Sequence, residues 1–340
     1  MLTASCESIQ VWLTKVFPSL FPFMAACNIL LQTGAAKQIG RFLQPLTKWF
    51  FSLDGIAAFP FFIGLLSGYP MGAKITAQLY AEKQISLKDA QHILVISNNP
   101  GPLFLIGTVG TGFFGMPFYG YLLLASTFLS TVFTGILLRS HPKDTLPRSM
   151  TPSQNTPPLA EILPSAISDS MNTLLLIGGY LILFGTFSEG LKQAGLFSFL
   201  AETLFFLPLS ADTLQGFCSG LLEMTNGTYL LSRSEDPLLL RLMLTAFLVS
   251  FSGLSILGQT FGILSAVPIS KKDYLKGQLL KALFSSLFFW FFFLFFEQKA
   301  QKAVPVCSFV TETAFTLSFL WLLPSLFCIG ALFRTLFCRK

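Results

Sequence analysis

The sequence predicts an all-α protein that crosses a membrane several times, and composition and hydropathy carry that prediction. Of its 340 residues, 53% are hydrophobic and 11% are charged, whereas a typical soluble domain is about 25% charged. Several apolar stretches approach or exceed the roughly 20 residues that a helix needs to cross hydrocarbon. They run continuously apolar, unlike the alternating strands of a membrane barrel. The clearest are residues 11–31, 116–138, 174–187, 279–296 and 309–333.

Charge, cysteine and histidine usage exclude several function classes. The net charge of +6 comes mainly from loop lysines and arginines, which orient a protein in its bilayer. No basic run is interleaved with aromatic residues, so we expect no nucleic-acid partner. The six scattered cysteines form no CxxC pair, and His92 and His141 lack metal-ligand spacing. We therefore expect no metal and no cofactor. Without a phosphate-binding loop or a G-x-S-x-G elbow, we also expect no enzyme.

A polar segment divides the membrane sequence into two similar lengths. Residues 140–158 read SHPKDTLPRSMTPSQNTPP, a composition typical of an extended, solvated linker. The sequence therefore predicts four regions, which are a first membrane repeat, a cytoplasmic linker, a second inverted repeat and an additional C-terminal transmembrane helix. Their predicted bounds are 1–139, 140–160, 161–297 and 298–340.

The two halves share weak internal similarity, which predicts a duplication. GLLSGYPMG at 64–72 matches GLLEMTNGT at 220–228, and GPLFLIGTVG at 101–110 resembles GLSILGQTFG at 253–262. Both pairs occur in the same order. In each half we expect a full span, a short amphipathic stretch, a glycine-broken re-entrant hairpin, a broken span and another full span. With the C-terminal helix, this predicts about seven spans plus two hairpins.

The distribution of positive charge predicts the orientation. Three crossings per half is an odd number, so the second half is expected to be inverted relative to the first, with the N-terminus outside and the C-terminus in the cytoplasm. The residues expected on the cytoplasmic side are Lys37, Arg41, Lys48, Lys83, Lys88, Arg139, Lys143, Arg148, Lys271, Lys272, Lys276, Arg334, Arg339 and Lys340. The opposite side receives fewer, namely Lys192 and Arg233, which have acidic neighbours, and Lys299 and Lys302.

The glycine- and proline-rich breaks indicate a binding site. Irregular backbone at bilayer depth leaves amide and carbonyl groups that lipid cannot satisfy, so such backbone is buried in protein or lines a polar cavity. We expect the four breaks to meet near the midplane and to bind a small polar ligand or ion. The polar residues that they contribute are Ser97, Asn98, Asn99, Glu223, Thr225 and Asn226.

Glu223 carries the strongest functional signal, because a carboxylate inside a membrane is costly. The alternatives are a loop-tip residue in water, or an ion pair with Lys74 or Arg241. Lys74 is expected to extend toward the lipid headgroups. Ser252, Ser255 and Gln259 offer further hydrogen bonds, although serine in membrane helices often bonds its own backbone.

The motifs FPFFIGLLSGYPMGAK and SNNPGPLFLIGTVG resemble the YlbJ-type sporulation integral membrane proteins, and LLEMTNG resembles the second motif of that family. The resemblance covers roughly residues 10 to 300. This group carries the nucleoside recognition or Gate domain, which also occurs in ferrous-iron transporters and is related to concentrative nucleoside carriers. It implies a multi-pass protein of the bacterial inner membrane, made in the mother cell of spore formers and needed for spore cortex assembly.

The resemblance also implies where a ligand would bind, since hairpin tips hold it in the carrier relatives. By motif position, the implied ligand residues are Gly68, Tyr69, Pro70, Gly72, Ser97, Asn98, Asn99, Gly101, Glu223, Thr225, Asn226 and Gly227. The chain departs from the pattern in its linker, in its last span and in the second half, where the equivalent of NNPGP lacks asparagines. Symmetric transport chemistry does not follow from the resemblance.

Two functions from different classes are compatible with the sequence. The first is a transporter or permease of a small polar solute, nucleoside-like or ionic, in which Glu223 couples through protonation or pairs with a coupling cation. The alternative is a non-transporting scaffold that recruits sporulation or envelope membrane proteins and uses its glycines for tight helix packing. The expected partners are the lipid bilayer, the solute with its coupling ion, and either a second copy of the chain or sporulation membrane proteins.

Overall fold

The computed structural model describes residues 2–33, 35–53, 56, 58–139, 158–203 and 209–300, and these contain helices and no strands. The helices are α1 (Leu2–Val11), α2 (Phe17–Gln32), α3 (Ala35–Phe51), α4 (Ala58–Ser67), α5 (Met71–Ala81), α6 (Leu87–Ser97), α7 (Pro117–Leu137), α8 (Leu159–Gln193), α9 (Leu196–Thr203), α10 (Ala211–Leu222), α11 (Met224–Arg233), α12 (Leu238–Phe251), α13 (Gly253–Ile263) and α14 (Lys271–Ala300). Two π-helical segments, Trp12–Val16 and Phe104–Phe113, complete the order.

The all-α polytopic membrane fold is confirmed. Within the described residues, four helical stretches are long and apolar enough to cross a membrane, and three shorter helices are apolar. The long ones are Pro117–Leu137, Ala160–Gln193, Leu238–Ile263 and Lys271–Phe296, and the shorter ones are Leu20–Leu30, Ala58–Ser67 and Phe104–Phe113. The predicted linker, apart from residues 158–160, and all but the first three residues of the predicted C-terminal helix lie outside the described residues.

The boundaries of two predicted spans differ from the sequence pattern. Helix α8 has 35 residues, about 50 Å at 1.5 Å per residue, whereas the hydrocarbon core is about 30 Å thick. The apolar stretch that predicts this span covers only residues 174–187, but the helix also includes the more polar residues that precede it. The first predicted span, 11–31, begins with the π-helical turn Trp12–Val16, and the Trp12 indole donates to the Leu174 carbonyl of α8 at 3.1 Å.

Each half places its elements in the order that the sequence predicts. The first half runs from α1–α2 through α3, the hairpin α4–α5, the broken span formed by α6 and the π-helix Phe104–Phe113, and then α7. The second half runs from α8 through α9, the hairpin α10–α11, the broken span α12–α13, and α14. The inversion of one half relative to the other remains a prediction.

Glycines allow the first hairpin to pack directly on the end of α6. A Cβ atom at either Gly64 or Gly72 would overlap the Ser97 carbonyl oxygen, so the last turn of α6 fits only between glycines. At the hairpin tip, Gly68 has φ +78° and contacts Gly101 in the broken span. Only a residue without a Cβ atom adopts this conformation at little cost. The hairpin therefore holds the break at residues 98–101.

The second hairpin uses glycines in the same way. A Cβ atom at Gly227 would overlap the Gly220 backbone, and one at Gly253 would lie 2.9 Å from the Gly220 carbonyl oxygen. Ser252 and Gly253 both have positive φ, at +78° and +70°, which separates α12 from α13. Both hairpins thus pack their glycines against the break of their own half.

Buried apolar clusters join the two halves of the chain. The largest buried cluster combines residues of α2, α4, α5 and α6 with Leu174 and Ile177 of α8. Polar contacts join the same helices, since Asn28 of α2 donates to the Ser170 hydroxyl of α8 at 2.8 Å. The cavity described below therefore has walls from both halves.

We predict that Gly64→Ala lowers the free energy of unfolding by about 3 kcal/mol, because the new methyl group overlaps backbone that cannot move without displacing α6. Thermal unfolding of the purified protein in detergent measures this effect. The matched control is Gly179→Ala in α8, where the added Cβ atom meets nothing within 4 Å. Equal unfolding temperatures for the two variants would contradict the packing described here.

Candidate functional site

A cavity of about 80 Å³ lies where both hairpins and both broken spans meet. Its polar walls come from Thr108, Glu223, Thr225, Ser255 and Gln259, with the backbone of Gly68 and Gly101 at the two breaks of the first half. Apolar walls come from α1–α2 and from Ile177 and Leu181 of α8. This volume holds several water molecules or a small solute.

Glu223 separates the two helices of the second hairpin and caps the second of them. Its backbone N–H donates to the Ser219 carbonyl at the end of α10. Its side chain accepts from the Thr225 N–H at 2.9 Å and from the Asn226 N–H at 2.7 Å, the free amides of the first turn of α11. The carboxylate thus lies at the positive end of that helix, where a negative charge is stabilised. Glu223 is only 6% exposed, although it lines the cavity.

The structure shows neither of the two structural alternatives for Glu223, a residue at a solvated loop tip or a partner in an ion pair with Lys74 or Arg241. The residue is buried, so it is not a loop tip in water. Lys74 donates to the Thr173 hydroxyl at 3.2 Å, and Arg241 donates to the Ser232 carbonyl at 2.8 Å, so neither cation pairs with the carboxylate. Each carboxylate oxygen keeps acceptor capacity beyond the backbone bond that it receives.

Gln259 and Ser255 lie one turn apart on α13 and present unused hydrogen-bonding groups to the cavity. They are 3% and 2% exposed, respectively. No hydrogen bond joins the Gln259 amide or the Ser255 hydroxyl to another residue that the structure describes, and neither group is among the fully buried polar atoms without a partner, so both are accessible from the cavity. Sealing off such a primary amide without a partner would cost about 1–3 kcal/mol. Such groups indicate a position where water or a ligand supplies the missing partner.

The asparagines of the first break do not line the cavity. The Asn98 amide donates to the Thr260 hydroxyl at 3.0 Å and to the Tyr274 hydroxyl at 2.7 Å. Asn99 accepts from the Thr131 hydroxyl at 2.9 Å. Both side chains therefore join the break to α7, α13 and α14.

Of the twelve predicted ligand residues, the structure places five around the cavity. These are Gly68, Tyr69, Gly101, Glu223 and Thr225. The other seven lie in the hairpins or the first break without lining it, namely Pro70, Gly72, Ser97, Asn98, Asn99, Asn226 and Gly227. Gly72 and Gly227 serve helix packing instead. Ligand binding by any of the twelve stays a prediction.

Tyr69 connects the first hairpin to the break of the second half. Its hydroxyl donates to the Val249 carbonyl at 3.1 Å and lies 3.5 Å from the Ser250 carbonyl. These carbonyls end α12, where the turn at Ser252 removes their usual helical partners. The ring packs against Met224 of the second hairpin. Tyr69 therefore caps a broken helix of the opposite half.

Lys281 caps the C-terminal end of α6, as Tyr69 caps that of α12. The sequence pattern did not identify Lys281 as a candidate site residue. This α14 residue is 0% exposed. Its ammonium lies 2.7 Å from the Asn98 carbonyl, 3.0 Å from the Asn99 Oδ1 atom and 3.3 Å from the Val95 carbonyl. The available signal was a lone lysine within the predicted span 279–296, since charged residues inside membrane helices are rare and usually functional.

Comparison with known proteins gives two matches. The family profile described as Gate, nucleoside recognition, matches residues 13–136. The sporulation integral membrane protein YlbJ of Bacillus subtilis (strain 168) is similar to this chain, with 33% identity over 310 residues that cover 84% of this chain and 76% of that protein. No solved structure matches the chain.

We predict that Tyr69→Phe lowers the free energy of unfolding by about 1–3 kcal/mol, because it leaves buried carbonyls at the end of α12 without a donor. The control is Tyr121→Phe in α7, whose side chain is 41% exposed. Unfolding temperatures of the two purified variants, each compared with the parent protein, measure the difference. A Tyr69→Phe variant as stable as Tyr121→Phe would show that the phenol does not cap α12.

Proposed function

We propose that this chain, which belongs to the family of sporulation integral membrane proteins represented by YlbJ, carries a small polar solute across the membrane. The solute would pass through the cavity between the broken helices. The observation that supports this most strongly is that Ser255 and Gln259, which make no side-chain hydrogen bond to the described part of the chain, line one cavity together with Glu223. Helix packing gives no reason to bury an amide without partners.

The chemistry of the cavity favours a solute that both donates and accepts hydrogen bonds. A primary amide offers two donors and an acceptor, a serine hydroxyl offers either, and the carboxylate of Glu223 only accepts. A neutral solute with an N–H or O–H group directed at Glu223 and an acceptor directed at Gln259 satisfies both residues, and the Ser255 hydroxyl can bond either kind of group. The nucleoside class suggested by the family profile has such groups, and its members require a wider cavity than about 80 Å³.

Glu223 is suited to coupling solute binding to a cation or a proton. Its charge is stabilised by two backbone amides rather than by a lysine or arginine. A proton or a small cation can therefore neutralise it without breaking an ion pair. Solute binding that favours one of these states would link transport to the ion gradient.

A scaffold that recruits sporulation membrane proteins is the second candidate, and the glycine contacts favour it. Gly64, Gly72 and Gly227 contact backbone rather than the cavity, so tight helix packing accounts for them without a ligand. Packing does not account for Gln259. Transport measurements therefore separate the two functions.

We predict that Glu223→Gln and Gln259→Leu each reduce initial uptake by at least about tenfold, or about 1.4 kcal/mol, since the first replaces a charged acceptor for the solute by a weaker neutral one and the second removes a hydrogen bond to the solute. Uptake is measured in liposomes that contain the purified protein, with a panel of labelled nucleosides, nucleobases and alkali cations. The matched controls are Glu235→Gln and Gln193→Leu, which alter exposed side chains of the same types.

Two outcomes would contradict this assignment. Uptake that is unchanged in both cavity variants would mean that the solute passes elsewhere. Absence of uptake for the whole panel, combined with stoichiometric recovery of membrane proteins after crosslinking, would favour the scaffold.

We predict that the loops that follow the two hairpins lie on opposite faces of the membrane, as an inverted repeat requires. With the N-terminus outside, Lys83→Cys is cytoplasmic and Glu235→Cys faces the exterior. A membrane-impermeant maleimide should label Glu235→Cys in intact cells and Lys83→Cys only after permeabilisation, each measured above the labelling of the parent protein. Labelling of both sites in intact cells, or of neither, would show that the halves are not inverted.

A further inference from the structure

The end of α6 forms a site with the chemistry of a monovalent-cation site. Two backbone carbonyls, of Val95 and Asn98, and the Asn99 Oδ1 atom converge on one point, which the Lys281 ammonium occupies. Carbonyl oxygens at the C-terminal end of a broken membrane helix carry partial negative charge and coordinate cations. All three oxygen ligands come from the first half, and the ammonium comes from the second.

The lysine is held there by the packing of α14. Gly277, one turn before Lys281, lets α14 approach α6 closely, because a Cβ atom at that position would lie 2.7 Å from the Val95 side chain. Tyr274, Gln278 and Lys281 lie on the same face of α14 and are each 0% exposed. The Gln278 amide donates to the Tyr274 hydroxyl at 2.6 Å, and that hydroxyl accepts from Asn98. This network fixes the helix against the break.

The charge of Lys281 is balanced by oxygen dipoles rather than by a carboxylate. Within the described part of the chain, no Asp or Glu pairs with it, and its three partners are uncharged oxygens. The surrounding network also has surplus acceptors, since the buried Asn98 Oδ1 and Gln278 Oε1 atoms lack donors. An oxygen-rich site of this kind favours a positive charge at its centre.

We propose that Lys281 is a tethered replacement for a bound monovalent cation: its ammonium fills a cation site at the broken end of α6, so the protein needs no Na⁺ or K⁺ to close that break. The inference goes beyond the proposed transport function and does not depend on it, because the site lies outside the cavity and concerns the stability of the fold.

The experiment creates a vacancy in this site and refills it from solution. Lys281→Ala is purified in detergent with methylammonium chloride throughout, and its unfolding temperature is then compared in methylammonium chloride and in choline chloride at equal ionic strength. We expect a loss of at least about 5 °C in choline, because three buried oxygens lose their donor. We expect methylammonium to restore at least half of the loss.

Two control variants separate site occupancy from a general salt effect. Lys276→Ala removes an exposed lysine of the same helix, with a side chain 77% exposed, and should neither lose stability nor respond to methylammonium. Lys281→Met keeps the aliphatic stem and fills the space without a charge. It should lose stability as Lys281→Ala does, but methylammonium should not restore it.

The parent protein supplies an independent measurement. Its unfolding temperature should be the same in sodium, potassium and choline chloride, since the site is already occupied. Saturable stabilisation of the parent protein by Na⁺ or K⁺ would overturn the proposal. A Lys281→Ala variant as stable as the parent in choline, one that methylammonium does not stabilise, or one that cannot be obtained folded even in methylammonium would each overturn it as well.

Discussion

The constraint on which this structure depends is that a helix broken inside a membrane leaves amides and carbonyls that lipid cannot satisfy. Three of the resulting helix ends have an identified partner. The Glu223 carboxylate accepts from the first amides of α11, the Tyr69 hydroxyl donates to the last carbonyls of α12, and the Lys281 ammonium donates to those of α6. Each partner suits the sign of the helix end that it meets, negative at an N-terminus and a donor at a C-terminus.

These capping contacts also determine where the cavity lies. Asn98 and Asn99 turn toward α7, α13 and α14, so the polar residues that remain at the meeting point are Thr108, Glu223, Thr225, Ser255 and Gln259. Some polar side chains in the broken segments thus bond only other parts of the chain, whereas a second set lines the cavity, and Glu223 does both. The second set supports the proposed transport function.

The sequence predicts the fold well because its signals are local. Glycine, proline and apolar length identify the hairpins, the broken spans and the order of elements in each half. The partners of polar residues depend on the tertiary structure. Asn98 bonds residues 162 and 176 positions away, and Lys281 bonds residues more than 180 positions away, so spacing along the chain could not reveal them. Gln259 is noticed in the sequence, but only its place in the cavity wall distinguishes it from an ordinary membrane glutamine.

The capping of α6 and α12 has the consequence that the two halves of the chain are not interchangeable. Tyr69 corresponds to Thr225 in the aligned motifs, and α7, the counterpart of α14, contains no lysine. Two copies of either half would therefore leave one break uncapped, and a symmetric homodimer assembled from a single half would not reproduce the present core. Each half therefore supplies a cap that a broken helix of the other half requires, so the two halves are structural complements of each other.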